Sequence, residues 1–69
     1  MNDLYLSKEL YSAKNIENAV KAFKGLANIK IKQDEKYYVC TIKSSRYSVE
    51  ETSNEFENYI IDLTSKGKL

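Results

Sequence analysis

An α+β fold in two layers, β-α-β-β-α, with a three-stranded antiparallel sheet of order 1-3-2 and two helices on one face, is what the 69-residue sequence predicts. Three patterns carry this prediction. Apolar residues recur every three or four positions in two segments, 16–23 and 49–63, and they alternate with polar residues in three others. Polar turn signals separate these runs. A right-handed crossover from the first strand must pass over the sheet, which puts both helices on the same side.

Each element has its own local cause. In "DLYLS" Leu4 and Leu6 fall on one side and Asp3, Tyr5 and Ser7 on the other, as in a half-buried strand. Ser12 then offers an N-cap to a helix whose apolar face is Ile16, Ala19, Val20 and Phe23. Gly25 is expected to end it in a left-handed conformation, with Lys21 and Lys24 near the negative end of the dipole. The stretch "ANIKIKQDEKYYVCTIK" reads as a hairpin. With Asp34 and Glu35 at the turn centre, Ile31 lies opposite Tyr38, Ile29 opposite Cys40 and Ala27 opposite Ile42. The other face then pairs Lys32 with Tyr37, Lys30 with Val39 and Asn28 with Thr41. The last helix opens with a capping box between Ser48 and Glu51. It lays Val49, Ser53, Phe56, Tyr59, Ile60 and Leu63 along one side and fades near "SKGKL". No internal repeat or linker interrupts this order, so residues 1–69 read as one small domain.

Composition narrows the function classes. A net charge of +1 argues against a protein built mainly to neutralise phosphates, but the charge is unevenly spread. Residues 48–63 hold Glu50, Glu51, Glu55, Glu57 and Asp62 with no basic residue, while most lysines precede them. The single cysteine and the lack of an apolar leader suggest a reducing cytoplasm, and no apolar run is long enough to span a bilayer. With no histidine, Cys-His nucleophiles and mixed Cys/His zinc sites are excluded. Cys40 falls on the inward face with Ile29, Tyr38 and Ile42, where burial makes a thiol inert. Glu51, Glu55 and Asp62 share a helix flank with Asn58, but helical rows of acids are usually solvated, and the Gly-bearing calcium loop is missing. The chain therefore reads as non-enzymatic, with no cofactor and no metal.

The outward sheet face is more informative. Tyr5, Lys30, Lys32, Tyr37, Val39 and Thr41 place aromatic, basic and β-branched side chains on one surface. Rings beside lysines on an open sheet are also used to stack RNA bases, but the near-neutral charge, scarce arginine and absent RNP pattern weigh against that use. A peptide or protein partner fits better. Three readings follow: a peptide- or protein-binding adaptor, a nucleic-acid-binding module, and a self-associating protein that pairs open edges into a homodimer.

At the final helix the residues "EFENYIIDL", Glu55 to Leu63, resemble the C-terminal signature of the HxsD-like family, small proteins of His-Xaa-Ser peptide-maturation systems. Phe56, Asn58, Tyr59 and Ile60 carry the resemblance, and the upstream "LYLSKELYSAKNIENAVKAFKGLANIKI" is similar to that family's layout of strand, capped helix and hairpin. The resemblance implies a non-catalytic companion of radical-SAM enzymes that modify ribosomally made peptides. Its partner would be the enzyme or the precursor peptide, received as an added strand on the open edge of the first strand. Asn58, on the flank of the buried stripe, joins the sheet face as a candidate partner-binding residue.

Overall fold

The computed structural model describes residues 3–66. Its elements are β1 (Asp3–Ser7), α1 (Ala13–Ala22), β2 (Ala27–Gln33), β3 (Tyr37–Ser45) and α2 (Val49–Lys66). β3 is central, with β1 and β2 antiparallel on either side, giving the order β1-β3-β2. Both helices cover one face, and the shortest dimension of 17 Å leaves room for a single helix layer on a single sheet. Among the described residues no helix is long and apolar enough to cross a membrane.

The core is the inward face of the sheet, Leu6, Ile29, Cys40 and Ile42, meeting Ile16, Ala19 and Phe23 from the first helical segment and Phe56 and Ile60 from α2. Phe56 has no exposed surface. Its ring meets Phe23 edge to face at 5.4 Å, and Phe23 meets Tyr59 in the same way at 5.8 Å. These contacts join the end of α1 to the middle of α2.

Local chemistry sets the element ends. Ser12 has extended backbone geometry, and its side-chain oxygen accepts from the Asn15 N–H at 3.2 Å, which caps α1. The stop of α1 differs from expectation. The C-cap is Phe23, whose carbonyl accepts from the Leu26 and Ala27 N–H groups at 2.8 and 2.9 Å. Gly25, inside this turn, does not take positive φ. The turn closes with right-handed backbone throughout, so the left-handed freedom of glycine goes unused. Half of the expected capping box forms: the Ser48 hydroxyl accepts from the Glu51 N–H at 3.1 Å, while no return bond from the Ser48 N–H to the Glu51 carboxylate is seen among the described residues. Glu50 and Glu51 in the first turn and Lys66 in the last complement the dipole.

The hairpin register is also corrected. Ile31 lies opposite Cys40, Lys30 opposite Thr41, Lys32 opposite Val39 and Gln33 opposite Tyr38. The turn centre is therefore Glu35 and Lys36, one residue further along than expected, and every pair from Ile29 to Gln33 moves by two. No described residue has positive φ, so a primed two-residue turn is not available. Asp34 supplies the closure instead: its carboxylate accepts from the Lys36 and Tyr37 N–H groups at 2.8 and 2.7 Å, while its own N–H donates to the Tyr37 carbonyl at 3.0 Å. A shift of two preserves which face each side chain takes, so the inside and outside assignments hold. Beyond Ile29 a bulge leaves Lys43 as the extra residue of β3, and Ala27 faces Ser45 rather than Ile42.

The buried stripe of α2 is centred on Thr52, Phe56 and Ile60, with Ser53 only half-buried. Tyr59 sits at its border, 38% exposed.

Candidate functional site

On the uncovered side of the sheet, alternate residues of the three strands form rows. Tyr5, Val39 and Lys32 make one row across β1, β3 and β2, and Asp3, Thr41 and Lys30 make the next. Tyr37 lies opposite Ser7 at the hairpin end. Six of the seven candidate residues, Tyr5, Lys30, Lys32, Tyr37, Val39 and Thr41, thus share one surface. The Tyr5 and Tyr37 rings stand edge to face with centroids 5.9 Å apart, although they are 57% and 40% exposed. Each ring limits the other's rotamers, so the pair is partly ordered before any partner arrives.

The corrected register changes the neighbours. Tyr37 faces Asp34 across the turn instead of Lys32, and Lys32 stands beside Val39. The cation above a ring is elsewhere: Lys8 Nζ sits 5.1 Å from the Tyr38 ring centroid and donates to Gln33 Oε1 at 2.7 Å. That contact ties the start of the β1–α1 connection to the hairpin, and sequence spacing gave no sign of it. Thr41 is not free to turn, because its hydroxyl donates to Asp3 Oδ1 at 2.8 Å. Asp3 belongs to the face and was missed as a candidate, although its place in the β1 alternation pointed there. Lys30 and Lys32 are exposed and make no ion pair among the described residues.

Asn58 does not join this surface. It is exposed on α2, in the layer on the other side of the sheet. The buried stripe of α2 runs through Thr52, Phe56 and Ile60, and position 58 falls outside it on the solvent side.

Titration follows the same geometry. The two N–H bonds from Lys36 and Tyr37 hold the Asp34 carboxyl below its ordinary value, helped by the nearby Lys8 and Lys36 charges. Burial pushes the Cys40 thiol up to about 11. Among the described residues no group of three or more Cys, Asp or Glu side chains is placed to hold a metal ion.

The concavities among the described residues include these two. One, of about 370 Å³, lies between the β1 end and the hairpin and is bordered by Ser7, Lys8, Glu9, Glu35, Lys36 and Tyr37. The other, of about 200 Å³, is an apolar notch of Phe23, Leu26, Tyr47 and Thr52 with Glu51 and Glu55 at its rim. Its most exposed wall, Tyr47, follows the bulged strand end and shows no periodic signal in the sequence. Comparison with protein-family models, with curated proteins and with solved structures finds no match for this chain.

Proposed function

We propose that this chain is a small non-catalytic adaptor that holds a peptide or protein partner on the outer face of its sheet. The observation that supports this most is the exposed Tyr5–Tyr37 pair, set edge to face beside Val39, Lys30 and Lys32 on a side that no helix covers. Tyrosine supplies a large, amphipathic contact with few rotatable bonds, and lysines at the rim add steering rather than most of the affinity. On the resemblance to HxsD-like proteins, the partner is a precursor peptide or the radical-SAM enzyme that modifies it.

The test is to look beside the gene for a precursor peptide and a radical-SAM enzyme and to measure their binding to the purified chain by calorimetry. Replacing Tyr5 and Tyr37 by alanine is expected to weaken binding at least about tenfold, the loss typical of truncating an aromatic anchor. Tyr47→Ala, at a ring more exposed than either but off the face, should leave affinity unchanged. Equal binding by all three proteins sinks the proposal. So does tight binding to oligonucleotides that falls steeply with salt and disappears on replacing Lys30 and Lys32.

A further inference from the structure

Both outer strands of a three-stranded sheet end in open edges, and the ladder parity tells which backbone groups are free. The bond from the Asp34 N–H to the Tyr37 carbonyl fixes Lys30, Lys32 and Asp34 as the β2 residues that bond β3. The N–H and C=O groups of Ile29, Ile31 and Gln33 therefore point away from the sheet. Ile29 is only 6% exposed, so the open part of this edge is Lys30–Gln33, centred on Ile31 at 37% exposure. On β1, the bond from Lys8 N–H to the Lys36 carbonyl leaves Asp3, Tyr5 and Ser7 pointing outward. There the Ser7 carbonyl is already taken by the Leu10 and Tyr11 N–H groups at 3.1 and 3.0 Å, and the chain turns away.

The chemistry beside the β2 edge is specific. Lys30 and Lys32 flank Ile31 on the outer face without acidic partners among the described residues, while Ile31 itself points to the inner side, next to buried Cys40. A second copy pairing antiparallel about Ile31 would set Lys30 of one chain against Lys32 of the other, twice, on one face. Like charges directly opposite are destabilising. An incoming strand with acidic residues on the lysine side and an apolar residue beside Ile31 has the opposite balance.

We propose that the β2 edge receives, as a fourth strand, an extended partner segment in which acidic and apolar residues alternate. The two lysines select the acidic residues, Ile31 takes the apolar one, and Ile31 and Gln33 supply the backbone bonds. This inference rests on the adaptor reading and names the chemistry of its partner.

The probe is a short acetylated and amidated peptide alternating glutamate and valine, titrated into the full chain while amide NMR signals are followed. The Ile31 and Gln33 amides should shift most and gain protection from hydrogen exchange. A peptide N-methylated at its valines keeps the charge but loses the donors, and should not bind. Lys30→Glu with Lys32→Glu should weaken the glutamate peptide about tenfold and strengthen its lysine counterpart, since two adjacent charge contacts are inverted. The inference is overturned if Ile31 and Gln33 do not respond, if Asp3 and Tyr5 respond instead, if the N-methylated peptide binds equally, or if charge reversal changes nothing. The Ile31 and Gln33 amides report on the β2 edge alone, whereas the Tyr5–Tyr37 face is read by native-partner affinity, so failure here is distinguishable from failure of that face to hold the native partner.

Discussion

Cys40 lies opposite Leu4 on one side and Ile31 on the other, and the closed inner face leaves it no exposed surface. Its position was legible, because strand alternation carries Tyr38, Cys40 and Ile42 to the same side and Tyr37, Val39 and Thr41 to the other. Burial raises the thiol from an ordinary 9.0 to about 11, so the folded protein keeps a proton that the unfolded chain releases. Stability from this group is thus complete below about pH 9 and is lost as pH climbs towards 11. Relative to a Cys40→Ala variant, the wild type should lose on the order of 1 kcal/mol between pH 8 and pH 10. Urea denaturation of the two proteins across that range checks it. Parallel pH profiles would mean that the thiol ionises without unfolding. Asp34 shows the opposite limit of legibility: its outward position was clear, but its role in closing the turn depends on which backbone N–H groups a carboxylate reaches, and spacing does not encode that.

Among the elements, existence, facing and helix starts were readable, whereas the stop of α1 and the centre of the hairpin turn were not. The hydroxyl caps at Ser12 and Ser48 are found as expected because a side-chain oxygen in that position satisfies a donor that the helix itself cannot. Gly25 misled, since glycine after a helix suggests left-handed geometry whereas the Phe23 carbonyl closes this turn without it. Asn58 misled because nearness in sequence to Phe56 and Tyr59 is not nearness on the helix: position 58 lies on the side of α2 opposite the line through Thr52, Phe56 and Ile60. The finding at Gly25 gives a sharp expectation. A Cβ built there meets nothing within 4 Å, and φ is not positive. Gly25→Ala should therefore stabilise the fold by about 0.4–1 kcal/mol, chiefly by restricting the unfolded chain. Thermal unfolding would show a higher midpoint; a lower one would mean that the turn samples left-handed geometry after all.

For the whole molecule, the unequal edges matter more than the helices. A sheet of three strands buries one face, leaves the other open, and presents two edges that any similar strand can extend. The sequence announced this, because strand count and order follow from the pattern; it pointed to the edge of the first strand, and neither the ladder parity nor the occupied Ser7 carbonyl, which together favour β2, was legible in it. Lys30 and Lys32 stand on the longer edge strand, where antiparallel pairing of two copies about Ile31 sets like charges opposite each other. Replacing both by valine removes that repulsion and leaves a flat, β-prone edge beside Ile31. The double variant is expected to associate more strongly with rising concentration in sedimentation velocity than the wild type does at the same concentrations. Lys14 and Lys21, exposed on α1, provide the control, because replacing both by valine removes the same charge without touching an edge. If the two double variants associate equally, net charge governs solubility and the edge lysines have no special part. If only the β2 variant associates, and hydrogen exchange slows at Ile31 and Gln33 as it does so, the lysines act at the edge itself. The barrier against self-pairing and the preference for an acidic strand would then be two consequences of one arrangement.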